Sequence, residues 1–147
     1  MPTEYILAYH CAPAFAGIKP SNIASCSKRE NPNITVQIKM LNEKLNKNDI
    51  YIDVLCECGE RVLLMVYRKQ KLCEYLQRDD IKSFLCDNGY PKEFSLAKYL
   101  AILKSRIYAQ RLMNKEFPHE IGAFLGYPLH DIYGFINHKP VSYTHLR

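Results

Sequence analysis

The pair His10–Cys11 is the first place in this sequence where the residue types could support chemistry. A protonated imidazole lowers the pKa of a nearby thiol, and the thiolate can then act as a nucleophile, a redox centre or a metal ligand. The apolar stretch from Tyr5 to Tyr9 predicts a strand that ends at this pair. Because neighbouring side chains of a strand point to opposite faces, the partner of Cys11 would come from elsewhere in the chain. The structural alternative is a buried cysteine beside a hydrogen-bonded histidine.

The second such place is the pair His119–Glu120, which follows Phe117 and Pro118. A zinc-protease motif requires a second histidine one helical turn later, and position 123 is alanine. Neighbouring helical side chains point about 100° apart, so His119 and Glu120 cannot share one ion unaided. The structural alternative is that both residues cap a short helix, whose dipole favours a carboxylate at its N-terminus.

A site shared by these two segments is one functional hypothesis. Both segments place polar side chains in backbone that Pro and Gly hold fixed, and His119 is the natural partner for Cys11. The candidate catalytic residues are Cys11, His10, His119 and Glu120. They would serve a thiol-dependent enzyme, or a protein that binds haem or metal. The residues themselves identify no particular cofactor, metal or reaction.

Six cysteines stand at positions 11, 26, 56, 58, 73 and 86. The N-terminus lacks the basic region of a signal peptide, so we expect a cytoplasmic protein with reduced thiols rather than a disulfide scaffold. Cys56 and Cys58 are half of a zinc site, but no second pair is spaced to complete it. No glycine-rich phosphate-binding motif occurs.

Residues 121–135 have the spacing of a helix-turn-helix, with Gly126 at the turn. A recognition helix presents Arg, Lys, Asn or Gln to the bases, whereas this segment offers His130, Asp131 and Tyr133. The net charge of +5 is spread along the chain rather than clustered. Both observations argue against a nucleic-acid partner, although a helix-turn-helix DNA-binding regulator stays an alternative. No uninterrupted apolar run is long enough to predict a membrane span.

The strongest prediction of local structure is a β-hairpin of residues 50–57 and 61–67. Its two runs are rich in β-forming residues and flank a turn with Gly59. The second run is apolar without alternation from Val62 to Val66, which is typical of a strand covered on both faces.

Helices are predicted by apolar periodicity and by capping residues. Ser21–Asn22 predicts the cap of a brief helix at residues 23–26, and Asn31 or Asn33 predicts the cap of a helix that extends to about residue 47. Further helices are expected at residues 71–76 and 81–88 and after Ser95, with short helices near Pro118 and Pro128. We therefore expect a single α+β domain, with a small sheet that contains the antiparallel hairpin. Its helical C-terminal half ends in a helix-turn-helix-like pair.

Two segments also resemble those of a known family. They are residues 117–136, with two Pro, three Gly and two His, and the pattern His10-Cys-Ala-Pro followed by Ala16-Gly-Ile-Lys-Pro20. From about residue 7 to residue 138 the chain resembles the family catalogued as domain of unknown function 3793. This family occurs mostly in clostridia and related Firmicutes, and its members are often encoded beside genes for flavodoxin or ferrous-iron transport. The resemblance implies a cytoplasmic accessory or binding protein with a partner in iron or redox metabolism.

The last residues depart from that family. Residues 140–147 are similar to a translated sequencing adapter of the kind found in metagenomic assemblies, where the family continues with a further strand and helix. We therefore interpret residues 1–139 as the domain and residues 140–147 as a non-native tail.

Overall fold

A computed structural model describes residues 2–113 and 117–138, with the side chains of residues 135–138 left out of the description. The tail predicted at residues 140–147 lies outside the described residues. The architecture is α+β, as the sequence predicts, and the chain forms two compact units, Met1–Cys73 and Glu74–Arg147. Within the described ranges, no helix has both the length and the apolar character needed to cross a membrane.

The first unit contains a three-stranded antiparallel sheet and three helices. In chain order its elements are α1 (Thr3–His10), α2 (Ala12–Phe15), β1 (Ser21–Ser27), α3 (Ile34–Leu45), β2 (Ile50–Cys58) and β3 (Arg61–Arg68). The strand order is β1-β3-β2. The predicted hairpin is therefore confirmed, and its second strand is the central one.

The central strand β3 is buried on both faces. Val62, Leu64 and Val66 are fully buried in a hydrophobic core that also includes residues of α1, α2 and α3. Leu63 and Met65, which point to the opposite face, are at most 5% exposed. This confirms the expectation drawn from the unbroken apolar run, because both faces of a strand must be covered for such a run to be stable.

Two predictions for the N-terminal region are wrong. The stretch from Tyr5 to Tyr9 is helical rather than extended, with both tyrosines exposed and the adjacent Ile6 and Leu7 buried. A strand would have placed Ile6 and Leu7 on opposite faces, whereas one helical face can bury both. Residues 21–27 form strand β1 instead of a brief helix, because pairing with β3 outweighs their weak local preference.

The outer side of β2 is joined to α3 by one side chain. The Asn42 Nδ2 atom donates to the Ile52 carbonyl oxygen at 3.0 Å, and the Asn42 Oδ1 atom accepts from the Ile52 N–H at 2.8 Å. The amide of Asn42 thus pairs with both main-chain groups of one strand residue. Ile34 and Ile38 of α3, which lie one turn apart on the same helical face, are both buried.

The second unit is helical. Helix α4 (Lys69–Leu76) follows β3, and the later helices are α5 (Asp79–Asp87), α6 (Leu96–Leu112), α7 (Ile121–Phe124) and α8 (Leu129–His138). Ser95 caps α6 as predicted, since its Oγ atom accepts from the Lys98 N–H at 3.4 Å. Gly126 has a φ of 83°, which is the left-handed conformation expected where α7 ends.

Candidate functional site

A buried carboxylate organises the second unit. Glu120, directly before α7, is 2% exposed. Its Oε2 atom accepts a hydrogen bond from the Tyr90 hydroxyl at 3.0 Å and forms an ion pair with the Arg106 Nη1 atom at 2.5 Å. Burying a carboxylate is costly unless it is paired and hydrogen-bonded, and both conditions are met here. The network joins the segment before α7 to α6 and to the loop after α5.

Gly89 makes room for this network where α5 ends. Its φ of 93° is a conformation that residues with a Cβ atom rarely adopt, and a Cβ atom here would lie 2.6 Å from the Arg106 Nη2 atom. The Arg106 guanidinium also lies over the Tyr90 ring, 4.9 Å from its centroid. The turn that carries Tyr90 is therefore shaped so that Arg106 can reach Glu120.

The charge states of the network are fixed near neutral pH. Burial raises the pKa of Tyr90 far above its ordinary value, and the charge of Glu120 and its hydrogen bond raise it further. Burial alone would lower the pKa of Arg106, but the hydrogen bond and the charge of Glu120 outweigh it and raise that pKa. The phenol therefore stays a neutral donor and the guanidinium stays cationic. This network can hold a fold or orient a ligand, but these two groups cannot exchange protons at physiological pH.

His119 points to a different set of partners. Its Nε2 atom lies 2.9 Å from the Asn88 Oδ1 atom, and the Asn88 Nδ2 atom donates to the Phe84 carbonyl oxygen at 2.8 Å. Because the second bond fixes the orientation of the Asn88 amide, Oδ1 is an acceptor and His119 carries a proton on Nε2. The Phe84 ring contacts the His119 ring edge-on, at 6.1 Å between centroids.

The predicted capping role of His119 and Glu120 is wrong for the carboxylate. Glu120 stands at the N-cap position of α7, but its side chain makes no capping hydrogen bond. Its carboxylate is used by Tyr90 and Arg106 instead. A charged donor within reach binds a carboxylate more strongly than a single backbone N–H does, which explains this choice.

In the first unit, Cys11 is a buried thiol between α1 and α2. It is 0% exposed, and burial raises its pKa to about 12, with a further rise from Cys26 and an opposing effect of Lys19. His10 is exposed, and its ring contacts that of Tyr9 at 4.9 Å between centroids. The surroundings of Cys11 therefore favour the neutral thiol.

Helix α2 and the turn that follows it are hydrogen-bonded to side chains at and just after the end of β3. The Arg68 Nε atom donates to the Ala14 carbonyl oxygen at 2.8 Å, and Nη2 donates to that of Phe15 at 2.5 Å. The Lys71 Nζ atom donates to the Gly17 carbonyl oxygen at 2.7 Å, at a residue with a φ of 78°. The Gly and Pro residues of this motif thus shape the chain so that two basic side chains can bind its carbonyl groups.

The four candidate site residues divide between the two units. Cys11 and His10 belong to the first unit, and His119 and Glu120 belong to the second. Within its own unit, Cys11 is coupled to Cys26 and Lys19, while Glu120 contacts Tyr90 and Arg106. The shared site of Cys11 and His119 stays a prediction.

Sequence reasoning missed three residues of the second unit, namely Asn88, Tyr90 and Arg106. One signal for them exists in the sequence. Arg106 is adjacent to Ile107 and three residues after Leu103, on the apolar side of the predicted helix α6. A cation in that position requires a buried anion, and Glu120 lies in the other segment rich in Pro and Gly.

The remaining cysteines supply no further site. Cys56 is 7% exposed and Cys58 is exposed at the hairpin turn, after a register shift between Val54 and Cys56. Among the residues that the structure describes, no three His, Cys, Asp or Glu side chains are grouped so that they could hold a metal ion.

The helix pair at the C-terminal end is compact. Helix α7 has four residues, and a Cβ atom on Gly122 would lie 3.0 Å from the Ile132 Cγ1 atom of α8. Glycine at this position therefore allows the two helices to approach closely. On α8, His130, Asp131 and Tyr133 are exposed. The DNA-binding role stays a prediction, and the surface on which it would depend includes an acidic residue.

Comparison with known proteins identifies the family. Residues 7–147 match the family described as protein of unknown function (DUF3793), and the chain belongs to it. No curated protein and no solved structure shows a significant match to the chain.

Proposed function

We propose that this member of the family works by binding a partner rather than by catalysis. One observation carries the proposal: two of the side chains that the sequence offers for chemistry, Cys11 and Glu120, are buried in the fold. Cys11 is fully buried, and Glu120 is 2% exposed and paired with Arg106. Residues in such positions contribute to stability and shape, which leaves function to the surface of the protein.

The state of Cys11 argues against a thiol-dependent enzyme. Burial raises the pKa of Cys11 to about 12, so this thiol is almost entirely protonated near neutral pH. Nucleophilic and metal-binding cysteines work as thiolates, and their surroundings lower the pKa. Burial here has the opposite effect, and the exposed His10 offers no compensation.

We further propose that the protein acts in the cytoplasm, as an accessory protein with a partner in iron or redox metabolism. The six cysteines suit a reducing compartment, and none of the described ones is in a disulfide. Family resemblance supports the metabolic setting. A tagged chain from an anaerobic host should retain one such protein in stoichiometric amount by quantitative mass spectrometry. Recovery of the tagged chain alone would contradict this setting.

A thiol-labelling experiment tests the non-catalytic role. The native protein is treated with iodoacetamide, and labelling is followed cysteine by cysteine by peptide mass spectrometry. We expect rapid modification of the exposed Cys58, and modification of Cys11 and Cys26 only after unfolding. The Cys58→Ser variant controls for the accessible thiol. If Cys11 in the native protein reacts as fast as Cys58, the thiol is activated and the proposal is wrong.

A further inference from the structure

The outer face of α6 is apolar although it is exposed. Tyr108 and Leu112 are 54% and 67% exposed, and Met113, the residue directly after the helix, is 61% exposed. Toward the start of the helix the same face continues with the smaller exposed residues Ala97, Ala101 and Ser105. The opposite face is the buried one, where Tyr99, Leu103 and Ile107 are 0% exposed. A surface helix normally carries mostly charged and polar residues on its outer face, whereas four of the exposed residues of α6, Ala97, Ala101, Tyr108 and Leu112, are apolar.

The charges of α6 are all of one sign. Its 17 residues include four basic side chains, Lys98, Lys104, Arg106 and Arg111, and no Asp or Glu. Arg106 is engaged by Glu120. At 100° per residue, Lys104 and Arg111 fall along one side of the apolar stripe and Lys98 falls along the other. The stripe is therefore bordered by positive charge on both sides.

We infer that this face of α6 binds an acidic amphipathic helix of a partner protein. The stripe from Ala97 to Leu112 is about 22 Å long, which accommodates about four turns of a second helix. Ala and Ser at one end allow close approach, while Tyr108, Leu112 and Met113 supply large apolar side chains for burial. Glu or Asp residues beside the apolar face of the partner would meet the basic border, as in other helix-binding grooves.

The same features argue against two other occupants. A second copy of this chain would bring an equally basic border against the first, and the formal net charge of the chain is +5. A nucleic acid would be bound through Arg, Lys, Asn or Gln, or through several stacking aromatic rings. The centre of this face instead presents Ala, Ser and Leu side chains, and Tyr108 is the one aromatic residue of the stripe.

This inference rests on the proposed binding role, and its test is independent of thiol labelling. The probe is a fluorescent 18-residue synthetic peptide with Leu and Ala on one helical face and Glu on its flanks. Binding to the full chain is measured by fluorescence anisotropy at low and high salt. Comparison probes are a scrambled peptide, a peptide with Lys in place of Glu, and a single-stranded oligonucleotide.

We expect saturable binding of the acidic peptide that weakens with salt. The Tyr108→Ser/Leu112→Ser variant should bind about tenfold more weakly or worse, since large central side chains dominate such interfaces. Val36 and Met40 on α3 are also exposed, so Val36→Ser/Met40→Ser is the matched control and should bind as the wild type does. Circular dichroism confirms that both variants are folded. The inference would be overturned if the acidic and the Lys peptide bound equally well, or if the oligonucleotide bound better than the acidic peptide. It would also be overturned if the chain formed a dimer that the α6 variant does not form, or if the α6 variant bound the acidic peptide as the wild type does. None of these results would alter the protection of Cys11.

Discussion

Replacing Glu120 by glutamine tests whether the buried ion pair stabilises the second unit. Gln keeps the shape of the side chain and can still accept from the Tyr90 hydroxyl, so the change mainly removes the charge that pairs with Arg106. A hydrogen bond to a charged group contributes about 1.5–3 kcal/mol. The Arg106 side chain is 35% exposed, so water replaces part of what it loses. We therefore expect the free energy of unfolding to fall by about 1–2 kcal/mol. Glu120→Ala should cost more, about 3–4 kcal/mol, because it also leaves the Tyr90 hydroxyl without its acceptor and opens a cavity.

The measurement is equilibrium unfolding in urea, followed by far-ultraviolet circular dichroism. The matched control is Glu93→Gln, since Glu93 is an exposed glutamate of the same unit and its neutralisation should change stability by less than about 0.5 kcal/mol. A double-mutant cycle with Arg106→Gln isolates the pair, because the two changes should not be additive if the residues interact. The reasoning would be refuted if the free energy of unfolding of Glu120→Gln lay within about 0.5 kcal/mol of that of the wild type. It would also be refuted if the effects of Glu120→Gln and Arg106→Gln were fully additive.

Three further changes test other parts of the structure. Gly89→Ala should lower the free energy of unfolding by about 1–3 kcal/mol, because the φ of 93° strains an alanine and the new methyl group meets Arg106. Urea unfolding measures this change, and an unchanged free energy of unfolding would mean that the turn has a different backbone conformation. Phe124→Ala should lower the free energy of unfolding by about 3–5 kcal/mol, because Phe124 is 0% exposed. Leu125→Ala should lower it by less, because Leu125 is only half-buried. A larger loss for Leu125→Ala than for Phe124→Ala would contradict the packing of α7. The raised pKa of Cys11 means that the native state keeps a proton that the unfolded chain releases above about pH 9, so this contribution to stability should decline between about pH 9 and 12. The midpoint temperature of thermal unfolding should fall less steeply with pH in the Cys11→Ala variant than in the wild type. Equal slopes would show that folding does not raise the pKa of Cys11.

The parts of the fold that the sequence predicted well are those with long, regular patterns. The hairpin could be predicted because the six apolar or β-forming residues 62–67 of β3 have no helical period. Helices α3 and α6 could be predicted because their apolar residues repeat over several turns. The region before residue 28 was predicted wrongly because its segments are short. A run of about five apolar residues is compatible with either a strand or a helix, and the choice at Tyr5–Tyr9 and at β1 depends on contacts with the sheet.

The sequence indicated Glu120 as a candidate residue but not its contacts. Its partners Tyr90 and Arg106 lie 30 and 14 residues away in sequence, and local pattern does not link them. For Cys11, the pairing with His10 suggested an activated thiol. Burial decides the state of that thiol, and burial depends on how α1, α2 and the sheet pack rather than on the neighbouring residue.

The amide of Asn42 covers part of one edge of the sheet, the edge formed by β2. A strand at the side of a sheet normally offers unpaired main-chain groups, to which a strand from another molecule can add, and such addition is a common route to aggregation. At Ile52 those groups are already occupied from within the same chain. An incoming strand would have to displace α3 before it could pair along the middle of β2. One asparagine on a helix thus protects the middle of the β2 edge against strand addition.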